Sequence, residues 1–211
     1  MRFAWRDRTA TGCTLALSDS EATRARYPFG FSFTLHYTIA GATLTVLFTV
    51  ENTGEETLPV SMGAHPAFRW PLIASVPKDA YSLTFATEEP GPLRSVSGGL
   101  LTPHFRPTPI IGRTLALTEA LFDADALILP EPKSRSVRFA AETGPALTVS
   151  WDGFPQLGIW SRAGGDFLCI EPWLGMATPV GFCGEFSQKP WLTLIPRGQS
   201  RSASLSITVE E

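Results

Sequence analysis

Phe31-Ser32-Phe33-Thr34-Leu35-His36-Tyr37-Thr38-Ile39 and Ala42-Thr43-Leu44-Thr45-Val46-Leu47-Phe48-Thr49-Val50 flank the dipeptide Ala40-Gly41. Both runs alternate apolar and polar residues with a period of two, the repeat of a strand with one face on a core. Two such runs joined by two residues that include a glycine predict a β-hairpin. Shorter runs rich in β-branched and aromatic residues follow at 13–17, 81–85, 114–117, 136–139, 147–151, 157–160, 167–171, 191–195 and 203–209. They are bounded by Gly, Pro, Asn, Asp or Ser, the residues that turn a chain. Helix signals are few. Ser18-Asp19-Ser20-Glu21 offers an N-cap for a turn over 22–26 that Pro28 stops, and 118–122 can make one more turn. The 18 prolines and 18 glycines disfavour long helices. Many short strands with very little helix predict an all-β antiparallel sandwich.

The 211 residues fit one domain, and a hydrophobic content of 44% is enough for a real core. A formal net charge of -3 with no basic run argues against nucleic acid or an anionic membrane as partner. No apolar stretch approaches a membrane span, and residues 1–18 contain no continuous apolar segment of the signal-peptide kind. Cys13, Cys169 and Cys183 are an odd number without a CxxC spacing, which reads as reduced thiols in a cytoplasmic protein. Cys169, inside an apolar run, reads as a small buried hydrophobe. The polar, Gly- and Pro-rich stretch 86–113 reads as a long loop bordering a site.

Two titratable residues interrupt strand-like surroundings. His65 stands in Gly63-Ala64-His65-Pro66-Ala67-Phe68 and Glu171 in Cys169-Ile170-Glu171-Pro172-Trp173. An imidazole and a desolvated carboxylate are the groups that move two protons on a small polar substrate. A hydrogen-bonded histidine at a strand end is the plainer reading of His65 taken alone, whereas a salt-bridged glutamate explains Glu171 as well as a general base does. Trp70, Trp160 and Trp173 offer either core packing or stacking faces for a sugar, with Trp160 read as core. Asp125 is a turn former or a hydroxyl-binding acid. The histidines are scattered at 36, 65 and 104, and no spacing among them resembles a metal-ligand set.

Tyr27-Pro28-Phe29-Gly30-Phe31, Glu51-Asn52-Thr53-Gly54, Pro59-Val60-Ser61-Met62-Gly63-Ala64-His65-Pro66-Ala67-Phe68, Asp125-Ala126-Leu127-Ile128 and Cys169-Ile170-Glu171-Pro172-Trp173-Leu174-Gly175 occur in the order seen in aldose 1-epimerases, and the chain resembles that family over nearly its whole length. The resemblance is to the bacterial, galactose mutarotase-like branch. It implies a β-supersandwich, a sugar as partner, no cofactor and no metal. It implies His65 as general acid, Glu171 as general base and Asp125 as a hydroxyl-binding group. Trp70, Trp173 and Arg69 join them as candidate substrate-binding residues. His65 and Glu171 are expected to face one cleft about one sugar ring apart.

The resemblance also implies an N-terminal segment, carrying an arginine and a second histidine, that precedes Met1-Arg2-Phe3-Ala4-Trp5-Arg6 in the family. A sandwich without it would expose an edge able to pair with a second copy in a homodimer. Arg69 stands where many mutarotases have Asn. With Arg94 and Arg106, it would suit a hexose-6-phosphate as substrate. A non-catalytic carbohydrate-binding sandwich is the remaining alternative.

Overall fold

The computed structural model describes residues 1–211 and is built almost wholly of antiparallel strands, with 49% of residues in strand and 7% in helix. A nine-stranded sheet has the order β1 (Ala4–Arg8), β2 (Gly12–Ser18), β3 (Phe31–Ala40), β4 (Thr43–Asn52), β18 (Ser200–Glu210), β14 (Ala146–Asp152), β13 (Ser136–Ala140), β8 (Ser82–Phe85), β11 (Thr114–Ala116). A smaller sheet has the order β10 (Leu100–Arg106), β9 (Leu93–Ser97), β12 (Leu127–Leu129), β15 (Gln156–Trp160), β16 (Phe167–Leu174), β6 (Met62–Gly63), and β7 (Ala67–Arg69) also pairs with β16. Strands β5 (Leu58–Val60) and β17 (Thr193–Ile195) form a separate pair.

The β3–β4 hairpin has the predicted strands, but its two-residue turn is Gly41-Ala42, one residue later than the sequence suggested, because Ala40 pairs with Thr43. Gly41 takes a φ of 56°, which a tight hairpin turn requires at its first central position and which glycine adopts without steric cost. The stretch 86–113 is not a loop: it holds β9 and β10, joined through Gly98-Gly99 with φ of 58° and 79°. Its alternation is diluted because only Leu93 and Leu101 of this hairpin are buried, and because the β9–β10 register slips between Leu101 and Phe105. The expected helical turns are present as Glu21–Arg24, capped by Ser20, and as a 3-10 turn at Glu119–Phe122.

The two large sheets pack face to face. Leu127, Leu129, Leu157, Ile159, Leu168 and Ile170 of the smaller sheet meet Leu83, Phe85, Val137, Phe139, Val149 and Leu205 of the larger one in a single apolar cluster. Eight of these are 0% exposed, and full burial of one such side chain contributes about 1.5–3 kcal/mol. The larger sheet turns Ser and Thr outward, with hydroxyl pairs Thr43–Thr208, Thr45–Ser206 and Thr49–Ser202 each at 2.9 Å. No helix is long and apolar enough to cross a membrane.

Several residues that carried the family resemblance hold the frame. Asn52 is 1% exposed; its amide donates to the carbonyls of Glu56 and Ile195, and its oxygen accepts from the Gly54 N–H. Tyr27 donates its hydroxyl to the Pro59 carbonyl, and burial pushes its phenol up to about 12. Asn52 thereby ties the end of β4 to the β5–β17 pair. Replacing Asn52 by Ala strands one buried and one part-buried carbonyl and one N–H, so Asn52→Ala should lower unfolding stability by about 2–3 kcal/mol in urea titrations. A loss under about 0.5 kcal/mol would show that solvent reaches these groups and that the tie is dispensable.

Candidate active site

Strand β16 places residues alternately on its two faces. Leu168, Ile170 and Leu174 enter the inter-sheet core; Cys169, Glu171 and Trp173 lie on the opposite, outer face. On either side of Glu171 the partners of β16 are Gly63 for Trp173 and Ala67 for Cys169. His65 lies in the three-residue break between these two short strands and falls opposite Glu171. Pro66 has no N–H to donate to the ladder, and its carbonyl accepts from Ile170 at 3.4 Å. Directly opposed residues share a face, so the register itself carries the imidazole to the carboxylate. His65 Nε2 lies 3.4 Å from Glu171 Oε1. They are closer than the expected sugar-ring separation, because the antiparallel register sets them directly opposite one another.

The two groups differ in environment. The His65 side chain is 64% exposed, whereas Glu171 is 4% exposed. Burial holds the Glu171 carboxyl above the usual carboxylate range, opposed by the His65 charge and by hydrogen bonds from the Trp173 indole and the Cys169 thiol. The indole Nε1 donates to Oε2 at 3.3 Å. Burial, then the neighbouring carboxylate, pushes the Cys169 thiol up to about 12. Cys169 is buried, as its sequence context suggested, and its sulfur also lies within 4.8 Å of a Glu171 carboxylate oxygen on the outer face of the strand.

Two glycines make room for the indole. A β-carbon on Gly158, which faces Glu171 across the β15–β16 ladder, would lie 2.4 Å from the Trp173 ring. One on Gly63 would lie 2.7 Å from it. Between them Trp173 lies over the sheet with its N–H directed at Glu171.

His65, Glu171 and Trp173 line a cleft of about 390 Å³ with Asp125, Val96, Ile128, Trp160 and the covering segment Gly175, Met176 and Ala177. Trp160, read from sequence as core, lines this cleft and meets the His65 ring edge-on at 6.2 Å. Asp125 is both a turn former and a cleft residue. Its φ is 70°, a left-handed conformation that Asp tolerates better than most residues. Its Oδ1 accepts from the Ala126 N–H at 2.7 Å, and Arg106 donates to the Ala126 carbonyl at 2.8 Å. Gly175, at φ 103°, receives the Gln156 side-chain oxygen on its N–H at 2.9 Å, which fixes the start of the covering segment.

Trp70 is not part of the site. It is fully buried in the inter-sheet core, edge-on to Phe122, and its indole donates to the Lys78 carbonyl at 2.9 Å. A tryptophan on the core-facing side of its segment cannot reach the outer face five residues from His65. Arg69 is also outside the cleft. It pairs with Phe167, four residues along β16 from Glu171, or about 13 Å at strand spacing. Arg94 is held over the Phe105 ring and donates to the Thr102 carbonyl, so the three arginines form no cluster and none lines the cleft.

A profile of the aldose 1-epimerase family matches residues 1–207. Protein LacX of Lactococcus lactis subsp. lactis, in its chromosomal and plasmid forms, is 34% identical over 190 residues, which is 87% of this chain. The chain spans 63% of the length of these curated relatives. Among solved structures, a galactose mutarotase related enzyme from Lactobacillus acidophilus superposes with a TM-score of 0.88 at 26% identity, over 100% of this chain and 72% of the other. A galactose mutarotase-like protein from Lactobacillus casei gives 0.90 at 24% identity, over 99% and 73%, and so shares the fold.

The glycine at 158 provides a direct check on the site's construction. Gly158→Ala should force the indole off the sheet, costing about 1–3 kcal/mol of stability and changing the tryptophan fluorescence. Unchanged melting and fluorescence would mean that Trp173 does not rest on Gly158.

Proposed function

This chain belongs to the aldose 1-epimerase family, and from that premise we propose that it interconverts the α and β anomers of an aldose by general acid–base ring opening and closure. The observation that carries the reading is a buried carboxylate, Glu171, 3.4 Å from the imidazole of His65 in a cleft walled by Trp160 and Trp173. Glu171, as carboxylate, takes the proton of the C1 hydroxyl. His65, as imidazolium, gives a proton to the ring oxygen as the C1–O5 bond breaks. The open-chain aldehyde rotates about C1–C2. The roles then reverse: the now neutral imidazole takes back the proton from the C5 hydroxyl as its oxygen attacks C1, and the protonated Glu171 returns its proton to the carbonyl oxygen. Protons and charge balance over the cycle, and no cofactor enters it.

The environment of each group suits its part. Burial makes Glu171 a stronger base than a solvated carboxylate, while Trp173 and Cys169 keep its lone pairs oriented. The exposed His65 can exchange its proton with water between turnovers. The indole faces suit the C–H patches of a pyranose, and Asp125 can accept a hydroxyl proton at the rim. The cleft lining contains no arginine or lysine, which favours a neutral sugar over a phosphorylated one. Three unpaired cysteines accord with a reducing compartment.

Polarimetry of freshly dissolved α-glucose and α-galactose tests the reading. The protein should accelerate mutarotation, and Glu171→Gln, which keeps the shape but cannot take the proton, should reduce kcat by about 10²–10⁴ with the fold intact. A loss under about tenfold would remove Glu171 from the role of base. Saturable sugar binding without acceleration would instead make this a carbohydrate-binding sandwich.

A further inference from the structure

The outer face of β16 brings together three side chains that the sequence scatters. His65 Nε2, the Cys169 sulfur and a Glu171 carboxylate oxygen all lie within 4.8 Å of one another. They converge because Cys169 and Glu171 are two residues apart on one strand and His65 stands opposite Glu171 in register. Imidazole, thiolate and carboxylate are the donor types of zinc sites, and three protein ligands with one position left open is their catalytic pattern. Bonds of about 2.0–2.3 Å in a tetrahedron put donor atoms about 3.3–3.6 Å apart. His65 and Glu171 already meet that at 3.4 Å. His65 is exposed and sits in a break between strands, so it can follow an ion inward. The second carboxylate oxygen is held by the Trp173 N–H, an outer hydrogen bond of the kind that orients a metal-binding carboxylate.

We propose that His65, Cys169 and Glu171 form a site for a thiophilic divalent cation, Zn²⁺ above all, whose occupancy excludes the sugar. On binding, the Cys169 sulfur forms a bond to the ion and its proton leaves to solvent. Nε2 of His65 and Oε1 of Glu171 supply the second and third ligands, and the open position faces the cleft. Mg²⁺ and Ca²⁺, which prefer sets made wholly of oxygen donors, do not compete. The ion acts as an inhibitor: it occupies the lone pairs that proton transfer needs. That consequence rests on the epimerase reading, whereas the metal site does not, so the two are measured separately.

The reduced protein is titrated with Co²⁺ in the near ultraviolet, where a thiolate–cobalt bond absorbs, and Zn²⁺ is then added in competition. Wild type should give one thiolate band per chain, displaced by Zn²⁺. Cys183→Ser, at an exposed cysteine outside the cleft lining, should keep it. Cys169→Ser should abolish it, and His65→Asn should weaken Zn²⁺ at least about tenfold. If Cys169→Ser does not fold, Cys169→Ala and the exposed His65→Asn carry the test. A band that survives at position 169 without sulfur, a band lost in Cys183→Ser, or none in wild type overturns the site. In the polarimetric assay Zn²⁺ should raise the KM for the sugar and Mg²⁺ should not; mutarotation indifferent to saturating Zn²⁺ overturns the inhibition. A protein that gives the cobalt band but no mutarotation would count against the epimerase function and leave the metal site standing.

Discussion

Strand β16 is buried on both faces, and the alternation of its side chains constrains everything around it. Leu168, Ile170 and Leu174 are committed to the inter-sheet core, so Cys169, Glu171 and Trp173 have no choice but the outer face. A carboxylate buried there is costly unless it is hydrogen-bonded or paired. The structure meets that requirement with the Trp173 N–H from along the strand and with His65 from across the ladder. The imidazole is free to stand there because β6 and β7 are interrupted at Ala64–Pro66. A slip of one residue in the register would turn Glu171 into the core and carry Ile170 to the cleft.

The site therefore depends on absent side chains as much as on present ones. Gly63 and Gly158 leave the space in which Trp173 lies down beside the carboxylate. Gly175 turns the chain back over the sheet, where Met176 and Ala177 close one side of the cleft. Asp125 reaches the opposite side from a left-handed turn, steadied by its own hydrogen bond to Ala126 and by Arg106 on the same residue's carbonyl. These are backbone devices on rigid strands, which position side chains more firmly than loop residues do.

Much of this was legible in the sequence, for reasons that also explain what was not. The hairpin from Phe31 to Asn52 could be read because each strand has one apolar face and one polar face. The β9–β10 hairpin could not be read from alternation, because its exposed edge dilutes the pattern, although Gly98-Gly99 is a two-residue turn signal that favours a hairpin there. His65 and Glu171 stood out as titratable groups in apolar surroundings. Trp70 misled because nearness in sequence to His65 says nothing about which sheet face a residue takes. Trp160 was assigned to the core because its strand is apolar throughout; the cross-strand partner Cys169, which fixes its face, is visible only once the register is known. Cys169 itself carries no sequence mark of its nearness to Glu171 beyond the spacing of two along a strand.

The central claim is that sugar is handled on the outer face of the smaller sheet, beside Glu171, and nowhere in the core. The indole N–H signals of the tryptophans in a ¹⁵N-resolved NMR titration with a reducing aldose test it most directly. The account predicts a saturable shift of the Trp173 signal, whose N–H points at Glu171 in the cleft, and no shift of Trp70, whose N–H is locked on the Lys78 carbonyl in the core. A Trp173 signal unmoved at saturating sugar, or a Trp70 signal that moves as far, would contradict it.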